Sequence, residues 1–285
     1  MSVFLNGEFL RLEEARVSVL DRGFLFGDGV YELMPVYGGH PFRLDAHLKR
    51  LARSLDAVLI PNPFDPLRWR EILTELISRA GGGDLLLYWQ VTRGVAPRDH
   101  TFPRGIQPTV FGMVNPLPVP TPEQLERGIA AVTRPDLRWQ RCDIKAISLL
   151  GNVLLRQQAI EADAAEAILV RGGQITEGAA SNVFAVFDDV IVTPPKGPSL
   201  LPGVTRDLVL ELIGAAGLPN REMTISEPEL CRAQEIWITS SAKEILPVTR
   251  LDGIRLGDGR PGPRWTQVNR LFQDYKAQLR TDKFT

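Results

Sequence analysis

Cysteine is almost missing from this chain: Cys142 and Cys231 are the two thiols in 285 residues. Two cannot build a disulfide framework, and neither stands in a CxxC or zinc-ligand spacing. Histidine is nearly as rare. His40, His47 and His100 are too scattered for a metal centre, so no metal is expected. Long apolar runs are absent as well, since a stretch such as Leu85 to Trp89 is strand-length and far below what a bilayer demands. The opening MSVFLNGEFLRLEE has no basic segment followed by a long apolar one, which predicts no signal peptide and a reducing, cytoplasmic setting. Charge of one sign is not in excess either. With 33 basic against 34 acidic residues the formal charge is −1, which argues against nucleic acid or an acidic membrane as partner. Lysine is the last scarcity: Lys49, Lys145, Lys196, Lys243, Lys276 and Lys283 are the only six among 33 basic residues. A chain that otherwise uses arginine makes any lysine in an apolar setting a candidate for chemistry arginine cannot do, because arginine keeps its proton.

What is present is the balance of a globular protein, 44% hydrophobic and 24% charged, which excludes collagen, coiled coil and disordered chain. The length predicts about two domains. Val3–Leu5 and Glu8–Leu10 around Asn6-Gly7 read as a hairpin, and Val30–Tyr37 as a strand turning at Gly38-Gly39. Asp45 is expected to cap a helix running to about Leu59, with a second helix over 65–79 and strands over 85–93 and 108–114. The run Asn115-Pro-Leu-Pro-Val-Pro-Thr-Pro122 reads as an extended linker. The expected organisation is therefore a small N-terminal α/β domain over 1–114, a Pro-rich linker over 115–122, and a larger mixed domain over 123–285 with helices near 149–162, 205–216 and 265–278. The fold class is α+β, without the regular βαβ spacing of a doubly wound sheet.

Four places could carry chemistry. Lys145 lies between a strand-like run and an apolar helix, where an amine either snorkels to water or loses its proton, the form Schiff-base chemistry requires. Leu201-Pro-Gly-Val-Thr205 enters a helix whose first backbone N–H groups form either a phosphate cradle or an ordinary threonine-capped start. A second hydroxyl loop, Thr239-Ser240-Ser241, could complete such a cradle. Glu177 sits among small residues and needs a cationic or N–H partner if buried. Arg98 and His100 share a Gly/Pro-punctuated loop and could clamp a carboxylate. A neutral lysine, a phosphate cradle, a carboxylate for a ring nitrogen and a carboxylate clamp together make the parts list for pyridoxal 5′-phosphate (PLP) acting on an amino acid.

Across nearly its whole length the chain resembles the fold-type IV (class IV) PLP-dependent aminotransferases, most closely the bacterial D-amino acid aminotransferases. The resemblance is carried by DRGFLFGDGVYE (21–32), VTRGVAPRDHTFP (91–103), RWQRCDIKAISLLGN (138–152), TEGAASNVF (176–184) and LLPGVTRDLV (200–209). It implies that Lys145 forms the Schiff base with the cofactor and shuttles the substrate proton, and that Glu177 keeps the pyridine nitrogen protonated. It places Arg50, Val204, Thr205, Ser240 and Ser241 at the phosphate and Leu201 against the ring. Tyr31, Arg98 and His100 correspond to the trap for the substrate carboxylate, the 98–100 loop reaching over from the partner of a homodimer. The implied reaction converts D-alanine and 2-oxoglutarate to pyruvate and D-glutamate by way of pyridoxamine phosphate, with an amino acid and a 2-oxo acid as the small-molecule partners. A branched-chain L-aminotransferase or an aminodeoxychorismate lyase is the alternative within the same fold. Two departures from the family pattern stand out: Ala179 and Ala180 where serine is common, and Leu33 and Pro35 near the side-chain pocket.

Overall fold

The computed structural model describes residues 1–281, which form two compact units. Among the described residues the first unit contains Met1–Pro118, the short segment Ile144–Leu149, and residues 279–281. Its elements are β1 (Ser2–Leu5), β2 (Glu8–Arg11), α1 (Arg22–Phe26), β3 (Gly29–Tyr37), β4 (His40–Pro41), α2 (Leu44–Ala57), α3 (Pro66–Arg79), β5 (Leu85–Thr92) and β6 (Thr109–Pro116). The six strands make one antiparallel sheet in the order β2-β1-β6-β5-β3-β4. The β1–β2 hairpin turns at Asn6 and Gly7, both at positive φ, as a two-residue turn of this kind requires.

Alternation decides which face of the sheet is covered. Val30, Glu32, Met34 and Val36 of β3 are all buried, and Leu48, Leu51 and Leu55 of α2 join Leu73 and Leu76 of α3 in the same core. Helix α3 starts where a capping residue and a proline meet: Asp65 accepts from Arg68 N at 2.8 Å, and Pro66 needs no amide partner. Helix α2 starts differently from expectation. Arg43, at φ 51°, occupies the cap position without capping the helix through its side chain, and Asp45 lies inside the first turn, where a carboxylate favours the helix dipole.

The Pro-rich stretch is less of a linker than its composition suggests. Asn115 and Pro116 complete β6 opposite Leu86 and Leu85, and Pro122 opens the next helix under a capping box from Thr121. The boundary falls between Pro118 and Val119. The span 123–285 is not continuous, however, because Ile144–Leu149 belongs to the first unit. The reason is a free edge. Over Gly29–Tyr31 strand β3 has no neighbour beyond β5, and the 144–149 segment supplies one: Tyr31 N donates to Lys145 O at 2.9 Å, and Ile147 N to Gly29 O at 3.0 Å.

The second unit, Val119–Asp143 with Leu150–Gln278, holds α4 (Pro122–Arg127), β7 (Ile129–Pro135), α5 (Leu150–Glu161), β8 (Glu166–Arg171), β9 (Gln174–Gly178), β10 (Asn182–Phe187) and β11 (Val190–Thr193). It continues with α6 (Val204–Ala215), β12 (Asn220–Glu222), α7 (Glu227–Leu230), β13 (Glu235–Ser240), β14 (Glu244–Leu251) and β15 (Ile254–Arg255), and α8 (Pro263–Thr281) carries the chain back to the first unit. The main sheet runs β12-β11-β10-β13-β14-β7-β8-β9, with β15 paired to β14. Three of its pairings are parallel: β11 with β12, β14 with β7, and β7 with β8. This mixture is α+β rather than doubly wound. Among the described residues no helix is long and apolar enough to cross a membrane.

Candidate active site

The edge pairing just described sets Lys145. Its carbonyl is tied to Tyr31 N, its own amide donates to Ser54 Oγ of α2 at 3.3 Å, and its Nζ lies 4.1 Å from the centre of the Tyr31 ring. Both side chains are half-buried. Tyr31 in turn faces Tyr88, whose hydroxyl is pushed up to about 12 by burial and by the neighbouring Tyr31. The sequence-predicted pair Tyr31 and Lys145 is thus brought together.

Near them lies a charged group in which Arg50, expected at the phosphate, is joined by Glu32 and His47, which sequence reading missed. Arg50 is buried and turns its fork onto Glu32, Nε to Oε1 and Nη2 to Oε2, both at 2.8 Å. His47 Nδ1 lies 2.7 Å from Oε2 of the same carboxylate. Burial alone would raise the Glu32 carboxyl, but the Arg50 charge and the bonds from Arg50 and His47 outweigh it, and it ends at about 2. His47 is displaced downward: burial wins over Glu32, helped by the charges of Arg50 and Lys145. The imidazole is therefore neutral, and its Nε2 is buried with no partner among the described residues. A signal for this group was available, because Glu32 interrupts the apolar alternation of β3 and His47 and Arg50 sit three apart on the leucine face of α2.

Glu177, at the end of β9 in the second unit, is 4% exposed. Three donors converge on it: Arg138 Nη1 on Oε1, and on Oε2 the Asn182 amide at 3.1 Å and the Leu201 amide at 3.0 Å. Arg138 is shared. Its Nε and Nη2 go to Asp136 at 2.9 Å each, and Asp136 also pairs with Arg171 at 3.0 Å. Burial pushes the Glu177 carboxyl up, Arg138 and the Leu201 amide pull it back, Asp136 adds a push of its own, and the balance lies at about 7. Asn182 links the parts by donating also to Leu201 O at 2.9 Å. It leaves no room for a side chain at Gly203, where a Cβ would collide with Asn182 Oδ1. Arg138, Asp136 and Asn182 were not singled out from sequence, because each is distant from Glu177 along the chain or unremarkable in type.

Of the residues expected at the phosphate, Arg50 lies on α2, and the others fall at the start of α6 and the end of β13. Gly203 precedes α6 without any side-chain cap, so the amides of Val204 and Thr205 open the helix with no partner from a capping side chain, and Thr205 is buried. At the end of β13, Ser240 Oγ accepts from Lys243 N at 3.1 Å and Ser241 follows in the turn. Just before them Thr239 Oγ1 is buried with no partner among the described residues. Helix α6 packs against β13, the strand that carries this loop. An uncapped helix start, an orphaned hydroxyl and a poised carboxylate match the phosphate and ring nitrogen of a phosphopyridine cofactor. Arg98 and His100 are exposed on the 93–107 loop, and both approach the Phe26 ring, at 5.3 and 5.5 Å. At Ala179, which replaces a common serine, the carbonyl accepts from Asn152, while Ser181 two residues on is bonded to Glu166.

Comparison with known proteins points the same way. Residues 29–251 match amino-transferase class IV, and the chain belongs to that family. It is an aminotransferase of the fold-type IV class. Among its relatives, the D-alanine aminotransferase of Bacillus licheniformis is 42% identical over 277 residues, covering 96% of both chains. The crystal structure of Escherichia coli branched-chain amino acid aminotransferase superposes with a TM-score of 0.92 at 29% identity, covering 99% of this chain and 97% of that one. The branched-chain aminotransferase from the archaeon Thermoproteus uzoniensis, solved with norvaline, gives 0.88 at 26% identity, covering 100% and 97%.

Proposed function

We propose that this protein is a PLP-dependent D-alanine aminotransferase, moving the amino group of D-alanine to 2-oxoglutarate in two half-reactions to give pyruvate and D-glutamate. The observation that carries the reading is the difference in likeness: 42% identity to a D-alanine aminotransferase over almost the whole chain, against 29% and 26% to branched-chain enzymes of the same fold. The Arg98–His100 pair supports it. Among the described residues Arg98 forms no ion pair, so its guanidinium is available for a carboxylate.

PLP supplies an electron sink for the charge left when the α-carbon loses its proton. Lys145 Nζ moves that proton, with the Tyr31 ring packed beside it. Glu177 holds a proton at the ring nitrogen, which its own shift to about 7 suits it to share. Arg50, Val204, Thr205, Ser240 and Ser241 bind the phosphate, with Leu201 against the ring. Tyr31, Arg98 and His100 fix the substrate carboxylate, and this fixing selects the hydrogen presented to Lys145. We further propose a homodimer, supported by the outward apolar row Leu150, Val153, Leu154 and Ile160 on α5.

The test is the visible spectrum of the purified protein before and after D-alanine and, separately, L-leucine. Bleaching by D-alanine alone is the expected result. Bleaching by L-leucine alone transfers the protein to the branched-chain reading, and no colour even after adding PLP overturns the cofactor assignment.

A further inference from the structure

The loop that carries Arg98 and His100 is held from below by a buried charge cluster for which catalysis gives no other use. Asp28 Oδ2 accepts from Arg22 Nε and from Arg93 Nε, each at 2.8 Å, and Oδ1 accepts from Arg93 Nη2 at 3.0 Å. The arginine side chains are only 4% and 7% exposed. Two guanidinium groups on one carboxylate pull it below its ordinary range in spite of its burial. Each arginine has a second attachment. Arg93 reaches back to Val58 O at 2.7 Å and Leu59 O at 2.9 Å, where the chain leaves α2. Arg22 reaches forward, its Nη1 donating to Asp99 O at 2.5 Å.

That last bond has a specific consequence. Asp99 lies between Arg98 and His100, so holding its carbonyl fixes the Asp99–His100 peptide plane, which places the His100 Cα and anchors the backbone one residue beyond Arg98. The same unit also sets the base of the loop: Arg22 N donates to Gly94 O at 2.9 Å, and Arg93 N to Asp28 O at 3.0 Å. Gly94 itself is at φ +109°, and a Cβ there would collide with Gln107 O. Finally, Arg22 lies 4.8 Å from the centre of the Phe26 ring that Arg98 and His100 also approach. Desolvating a guanidinium is costly, and a bond to the backbone of an otherwise exposed loop is an odd use for one unless the loop's conformation matters.

We infer that Arg22, with Asp28 as its counter-charge, is a positioning residue that sets the geometry of the Arg98–His100 carboxylate clamp and so determines substrate affinity. The inference rests on the clamp reading given above. Lysine cannot replace Arg22, because a compact ammonium lacks the planar fork that spans Asp28 and the Asp99 carbonyl together, although it keeps the charge balance with Asp28.

The experiment measures the half-reaction of the holoenzyme with D-alanine under single turnover in Arg22→Lys, Arg98→Ala and the double variant. The plateau rate reads the chemistry at Lys145, and the half-saturating concentration reads carboxylate binding. Arg22→Lys is expected to raise the half-saturating concentration by about tenfold with the plateau within about twofold, and to add nothing once Arg98 is gone. An unchanged value in Arg98→Ala removes the clamp itself. A clamp effect in Arg98→Ala with no change in Arg22→Lys, or effects that simply multiply in the double variant, overturns the positioning role. Should Arg22→Lys fail to fold, Phe26→Leu leaves the charges in place and removes only the shared ring. About a threefold weakening without loss of plateau rate is then expected, and none overturns the inference.

Discussion

Glu32 and Glu177 are both buried, both bonded to an arginine, and carried on strands of different units, yet they end about five pH units apart, at about 2 and about 7. The partners explain the difference. Arg50 gives Glu32 a two-pronged fork, and neutral His47 completes the shell. Arg138 gives Glu177 a single prong because its other two donors serve Asp136, whose own negative charge opposes ionisation of Glu177. A carboxylate neutralised by its own protein is a structural anchor. One that is only partly neutralised keeps capacity for a proton-bearing ligand.

The largest effect expected from breaking this contrast is on turnover. Glu177→Gln cannot hold a proton at a ring nitrogen, and kcat should fall by about a thousandfold; a variant that kept a tenth of the activity would remove Glu177 from the chemistry. Glu32→Ala comes next and acts on stability, since it strands a buried guanidinium. Chemical denaturation should report a loss of about 3–5 kcal/mol, and a loss under about 1 kcal/mol would mean that Glu32 is not the anchor of Arg50.

The smallest and sharpest test is pH, in protein freed of cofactor. Glu32 lies below its unfolded value of 4.5, so its contribution is present above pH 4.5 and is lost as pH falls toward 2. Glu177 lies above 4.5, so the folded state keeps a proton that the unfolded state releases, and this stabilisation is lost as pH rises from 4.5 through about 7. Each limb amounts to about 3 kcal/mol. Melting curves of Glu32→Gln and Glu177→Gln should flatten opposite limbs, and Asp136→Asn should move the neutral limb of Glu177 downward. Limbs that stay in place, or that move together, would show that the two carboxylates do not differ as described.

Much of this molecule is legible along the chain. The 65–79 helix announces itself by Asp65 and Pro66, the hairpin by Asn6-Gly7, and the class by motifs of about ten residues. What was not legible depends on contacts between segments remote in sequence. The 115–122 stretch looks like a linker because prolines break regular structure, yet Pro116 can end a strand and Pro122 can start a helix without needing amide partners. Lys145 could be picked out by scarcity, but not its attachment to β3, which arises because that strand's edge is otherwise unpaired. Arg93, Arg22 and Asp28 were ordinary charges until folding set residues 65 apart in sequence against each other.

The sequence by itself therefore determined most of the elements and the family, because capping, alternation and motif spacing act over a few residues. Only the tertiary structure decided what each charge is for. A pKa and a side chain's direction answer to the summed fields and contacts of every neighbour in space, and for Glu32, Glu177 and the Arg98 loop those neighbours come from distant parts of the chain.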